Sequence, residues 1–169
     1  MGRNVGLGVW YAQGQGGIKK DYGQAMQWYQ KAADLDNTDA MYGLGNLYID
    51  GLGVKKDYSQ AMQWHQKAAD LGGKGSMTEI GLMYEHGHGV KKDINQAIQW
   101  YQKAADLGDA LAMRFLGHMY FIGKDVKKDI NQAIQWYEKS ANTDNDVAMM
   151  MIVANIYFSG VAITKNYQK

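Results

Sequence analysis

Lys19-Lys20-Asp21-Tyr22-Gly23-Gln24-Ala25-Met26-Gln27-Trp28-Tyr29-Gln30-Lys31-Ala32-Ala33 is written once and then, with few changes, three times more, from Lys55, Lys91 and Lys127. The landmarks keep strict time: Asp21, Asp57, Asp93 and Asp129 are 36 residues apart, and so are Trp28, Trp64, Trp100 and Trp136. A fixed period of this length is the mark of a stacked solenoid, whose units cannot bury their apolar faces alone. Within the string, Asp57 stands where a helix N-cap belongs, and Gln60 completes a pair of the capping-box type. The pairing recurs at Asp21/Gln24, Asp93/Gln96 and Asp129/Gln132. Ala61, Trp64, Ala68 and Leu71 fall on one helical face, widened by Met62, His65 and Ala69. So wide a stripe predicts a helix, B, packed on two sides.

A second helix, A, precedes each B. It is read at Ala40-Met41-Tyr42-Gly43-Leu44-Gly45-Asn46-Leu47-Tyr48 and echoed over residues 76–84 and 112–120, with Leu44, Leu47 and Tyr48 as its buried stripe. Gly45, Gly81 and Gly117 share one slot inside this helix, where glycine costs roughly 1 kcal/mol relative to alanine. A cost repeated at one slot predicts a close helix–helix approach. Helix A should stop at Gly51, Gly87 and Gly123 in left-handed caps, with Val54, Val90 and Val126 re-entering the core before the next B. Gly14-Gln15-Gly16-Gly17 reads as the same turn lengthened by one residue. Met149–Tyr157 is a further helix A once one residue is inserted in the loop around Thr143–Asp146, and Asn166–Lys169 begins a further B.

Composition narrows the function classes. The chain is 46% hydrophobic and 21% charged, as folded proteins are, with a net charge of +1. No basic run exceeds a lysine pair, which argues against nucleic-acid binding. Cysteine is absent, removing disulfides, thiolate nucleophiles and cysteine metal sites. No apolar run approaches the roughly 18 residues of a membrane span, and Met1–Gly6 carries no signal-peptide core. The chain therefore reads as soluble, without membrane insertion, and composition does not fix its compartment. Proline is also absent, so the helix stops fall to Gly, Asn and Asp.

The residues Ala40, Leu44, Gly45, Tyr48, Gly51, Gly53, Val54, Asp57, Ala61, Trp64, Lys67, Ala68 and Ala69 together resemble the Sel1-like repeat, a relative of the tetratricopeptide repeat. The resemblance covers nearly the whole chain. It implies an all-α, right-handed α/α superhelical solenoid of about four helix pairs (residues 3–38, 39–74, 75–110 and 111–147) plus a terminal unpaired helix in a partial repeat, 148–169. It also implies a concave groove on the helix A side and an adaptor or scaffold role toward other proteins, many such proteins being bacterial. Asp125 replaces the second loop glycine in the third copy, and Ala154 takes the tight glycine slot in the last helix A. The absent cysteines set the chain apart from the family's cysteine-rich subgroup, to which penicillin binding is attributed.

Comparing the copies separates scaffold from variable surface. Helix B barely changes, whereas helix A changes most at Tyr42/Thr78/Arg114/Met151, Asn46/Leu82/His118/Asn155 and Ile49/Glu85/Phe121/Phe158. These positions share one helical face, offset from the core stripe, and form the candidate groove for a protein or peptide. An inhibitor or immunity protein directed at one toxin or enzyme is the alternative, and a β-lactam-binding hydrolase a more distant one. Glu85-His86-Gly87-His88 has metal-ligand residue types but no third ligand nearby, so neither metal nor cofactor is expected. His118 belongs to no nucleophilic motif, and catalysis is not expected. His65 replaces a tyrosine as a core or rim residue. Met41, Met77, Met113 and Met150 share a packing slot, and the tryptophan series is read as core. The uncapped terminal helix, with Met149-Met150-Met151, offers a route to end-to-end self-association.

Overall fold

The computed structural model describes residues 2–160; the helix start expected at Asn166–Lys169 lies outside them. Among the described residues there are nine helices and no strand: α1 (Gly2–Gln13), α2 (Tyr22–Ala33), α3 (Thr38–Asp50), α4 (Tyr58–Asp70), α5 (Lys74–His86), α6 (Ile94–Asp106), α7 (Ala110–Ile122), α8 (Ile130–Asp144) and α9 (Val147–Phe158). Odd-numbered helices are A helices and even-numbered ones B. The chain divides into two compact units, Met1–Ala97 and Ile98–Lys169, the division falling inside α6.

Each B helix starts where the sequence places it. The Asp21, Asp57, Asp93 and Asp129 carboxylates each accept the backbone N–H of the glutamine three residues on, all at 3.0 Å. The other half of the capping box is replaced. Each cap aspartate donates its own N–H to a tyrosine carbonyl in the preceding A helix: Asp21 to Tyr11 (2.8 Å), Asp57 to Tyr48 (3.0 Å), Asp93 to Tyr84 (2.9 Å) and Asp129 to Tyr120 (2.9 Å). This bond satisfies a backbone donor at the turn and stitches the start of B to the end of A. It survives the longer first turn, where Gly14, Gly16 and Gly17 all adopt positive φ.

Left-handed residues end both kinds of helix. Gly51, Gly87 and Gly123 close α3, α5 and α7 with φ of 70°, 74° and 69°. Asp36, Gly72, Gly108 and Asn145 do the same after the B helices, so the stops that proline would otherwise supply are made as expected. The residue inserted before α9 does not lengthen a loop. It extends α8, which runs 15 residues against 13 in α4.

Within each unit the A and B helices meet through glycine and an aromatic ring. A Cβ added to Gly8, Gly45 or Gly117 would come within 2.5–2.6 Å of the Tyr29, His65 or Tyr137 ring. The glycine slot is thus explained by close approach, as expected. The buried face of helix B is rotated from the sequence reading. It runs through Ala61, His65, Ala68 and Ala69 in α4, while Leu35, Leu71 and Leu107 are half exposed. The tryptophans are not core: Trp28, Trp64, Trp100 and Trp136 are half-buried. The lysine three residues on lies over each indole, at 4.4, 4.3, 4.1 and 4.3 Å from the centroid. A long lysine stem can cover indole surface while its ammonium stays in water, which accounts for the fixed Trp-x-x-Lys spacing.

Candidate functional site

In the first unit, Tyr42, Asn46 and Ile49 lie on α3 and Thr78, Leu82 and Glu85 on α5. All but Thr78 are half-buried. Thr78 departs from the expected surface slot: it is 1% exposed, and its hydroxyl donates back to the Lys74 carbonyl at 3.3 Å. A side chain this short cannot climb out of the packing. Tyr42, in the same slot, can. Its hydroxyl donates to Glu79 Oε1 on α5 at 3.3 Å, so part of this slot is used to join successive A helices.

The second unit shows the same division. Arg114 of α7 pairs with Asp146, the N-cap of α9, at 3.5 Å. Phe121 is half-buried, with the Tyr137 ring centroid 6.5 Å away and Lys128 over its face at 5.7 Å. It is therefore less exposed than expected. His118, Met151 and Asn155 are exposed, and Phe158 is 95% exposed. Phe121 and Asn155 line one open hollow of about 410 Å³ with Ile152, Ile156 and Ser159. The sequence reading did not include Ile152, although its slot (Gly43, Glu79 and Phe115 in the other copies) varies as widely as the Tyr42/Thr78/Arg114/Met151 slot and the same comparison could have found it.

The remaining chemistry-bearing residues form stacks. His88 lies flat on Tyr58 at 4.7 Å, His86 stacks on His88 at 5.5 Å, and His86 Nδ1 sits 3.0 Å from the Leu82 carbonyl. Among the described residues no group of three or more His, Asp or Glu is placed to hold a metal ion. His65 is core, fully buried, with burial lowering its pKa to about 4. Burial also raises the phenols of Tyr29 and Tyr137. Tyr157 is raised by burial and by donating to Glu138 at 3.2 Å. No described helix is long and apolar enough to cross a membrane.

Comparison with known proteins places this geometry in a family. The profile described as Sel1 repeat matches four times, at residues 4–37, 38–73, 75–109 and 110–145. A crystal structure of a Sel1 repeat protein from Oxalobacter formigenes is similar at 39% identity and TM-score 0.84, over 95% of this chain and 64% of that one. The protein c5321, a protective antigen present in uropathogenic Escherichia coli strains and displaying an SLR fold, is similar at 36% identity and TM-score 0.81, over 97% of this chain and 35% of that one. Helicobacter pylori cysteine rich protein B follows at 30% identity and TM-score 0.62, over 81% of this chain and 98% of that one. This chain thus spans less than two thirds of the length of the first two. No curated protein sequence matches it.

Proposed function

The chain belongs to the Sel1 repeat family, and from that premise we propose that it is a non-enzymatic scaffold binding a protein or peptide along the variable faces of its A helices. Sel1 repeat proteins typically mediate protein–protein interaction. The observation that carries the reading is the hollow of the second unit, where Phe121, Ile152 and Ile156 offer apolar surface beside the Asn155 amide. Phe158 stands almost wholly in solvent on the same helix. Clustered aromatic and aliphatic exposure of this kind is costly in water and suits the anchor residues of a partner. α9 carries no charged side chain, so the partner segment that fits here is apolar with polar edges.

The test is retrieval of a partner from host lysate by the wild-type chain and by a His118→Ala/Asn155→Ala/Phe158→Ala variant. All three side chains are exposed, so circular dichroism and melting should stay the same while the partner is lost. A partner retained equally by the triple variant refutes the reading.

A further inference from the structure

His86 and His88 stand where the preceding copy has Asp50 and Leu52 and the following one Ile122 and Lys124. Leu52 packs against the core, whereas both imidazoles are exposed, so burial does not account for them. The turn brings them to one side. Gly87 caps α5 with φ of 74° and Gly89 follows with φ of 71°. Reversal through these two left-handed residues sets the His86 and His88 rings side by side, their centroids 5.5 Å apart. The Tyr58 ring at the start of α4 carries His88 in turn, 4.7 Å away and 14° from parallel.

His86 is also oriented as a ligand. Its Nδ1 lies 3.0 Å from the Leu82 carbonyl oxygen, which can only accept, so Nδ1 carries the proton and donates it. In the neutral ring the lone pair is then on Nε2. A ring N–H given to a backbone carbonyl is the usual second bond of a metal-binding histidine. The spacing fits as well. Two imidazoles on one tetrahedral ion, each nitrogen about 2.0–2.1 Å from it, hold their ring centroids about 5 Å apart. With His86 fixed through Nδ1, the exposed His88 ring does the turning, a fast motion for a surface side chain.

We infer that His86 Nε2 and a ring nitrogen of His88 form a binding site for one divalent ion of the Cu2+, Ni2+ and Zn2+ class. The surroundings set that class. Among the described residues no third His, Asp or Glu joins the pair, so the remaining coordination positions fall to water. Mg2+ and Ca2+ need oxygen ligands and find no cage here. The Lys56 ammonium, 5.6 Å from the Tyr58 centroid, opposes a cation held by charge alone. Imidazole nitrogen holds copper, nickel and zinc without such a cage. The missing third ligand made metal unexpected from the sequence. Its lack rules out a closed structural site of four protein ligands. It leaves an open and weaker one, which takes up and releases its ion without unfolding the chain.

The probe is the metal alone: CuCl2, NiCl2, ZnCl2 and MgCl2 titrated into the untagged full chain by calorimetry. One-to-one binding is expected for the first three, tightest for Cu2+, and none for Mg2+. His86→Ala and His88→Ala should each weaken Cu2+ at least about tenfold. His118→Ala, which removes the other exposed imidazole, should leave the titration unchanged. Zn2+ should also raise the melting temperature of the wild type and not that of His86→Ala/His88→Ala. Both side chains are exposed, so the double variant should keep the wild-type circular dichroism. Absence of saturable binding overturns the inference, and so does binding of equal strength in the double variant. Mg2+ binding as tight as Zn2+ overturns it too, since charge rather than imidazole would then hold the ion.

Discussion

His65 Nδ1 lies 3.2 Å from the Ser76 hydroxyl, and both residues depart from the commoner residue of their slots. The other copies have Tyr29, Tyr101 and Tyr137 at the first position, and Ala40 and Ala112 at the second. A buried imidazole needs a hydrogen-bond partner, and the serine that supplies it appears in the same repeat. The two departures are one change. Packing is otherwise conserved: the ring sits on the Gly45 backbone, with the Tyr42 ring edge-on at 5.7 Å.

This pair gives the fold an acid-labile point. Burial lowers the His65 pKa from 6.5 to about 4, so the folded chain holds the neutral ring while the unfolded chain protonates near 6.5. Between those values the unfolded state binds the extra proton. Stability is therefore complete above pH 6.5, falls as pH drops through the window, and levels off below about 4, a loss of about 3 kcal/mol. Urea unfolding of the wild type and of His65→Tyr from pH 7.5 to 4 measures the difference. The variant should lose much less over this range, and adding Ser76→Ala should stabilise it further by removing an unpaired buried hydroxyl. Parallel pH curves for wild type and His65→Tyr would refute the assignment.

Two glycines make a matched test of close approach. A Cβ on Gly117 would meet the Tyr137 ring at 2.6 Å and the Ala133 carbonyl oxygen at 3.2 Å, whereas a Cβ on Gly6 meets nothing within 4 Å. Both positions are helical. Gly6→Ala should stabilise by up to about 1 kcal/mol through helix propensity alone. Gly117→Ala should destabilise by roughly 1–3 kcal/mol, because the ring must leave its place. Opposite signs in chemical denaturation are expected; the same sign for both would remove close approach as the reason for the glycine slot.

The Asp57 cap bears a smaller but cleaner load. Its carboxylate accepts from both Ser59 and Gln60 backbone N–H groups, at 2.9 and 3.0 Å. Its own N–H bond to Tyr48 is backbone and survives substitution. Asp57→Ala should cost about 1 kcal/mol and Asp57→Asn appreciably less, since the amide oxygen can still cap. Equal losses would mean that charge, not capping geometry, holds the start of α4.

Much of this fold was legible because the period marks equivalent positions: Asp57 as a cap, Gly51 as a left-handed stop and Gly45 as a point of contact all follow from their recurrence. How deeply a slot is covered does not. Thr78 shares a slot with Tyr42 and Arg114 and is buried only because its side chain is too short to reach past its neighbours. The tryptophans recur as strictly as any core residue, yet each lies half out under a lysine, since a lysine stem can satisfy a constant position as well as a core can. Nor does recurrence reveal pairings between different slots. Tyr42 with Glu79 and Arg114 with Asp146 both bridge successive A helices, and both needed the three-dimensional arrangement to be seen.

Arg114 poses the question most sharply, because its slot was read as partner-binding and its guanidinium reaches Asp146. Asp146 has two tasks: Oδ2 faces Arg114 at 3.5 Å, and Oδ1 accepts the Met149 N–H at 3.1 Å to cap α9. With side chains 39% and 27% exposed, the ion pair is worth under about 1 kcal/mol. Asp146→Asn keeps a capping oxygen and loses the charge, so it should match Arg114→Ala in stability. Asp146→Ala should cost about 1 kcal/mol more, the loss of the cap. The same variants sort the function of the arginine once a partner is in hand. Equal loss of binding in Arg114→Ala and Asp146→Asn means that the pair orients α9 for the partner. Loss in Arg114→Ala alone means that the guanidinium itself makes the contact. The second outcome is expected, because breaking so exposed a pair leaves the Asp146 cap, and with it the placement of α9, in position.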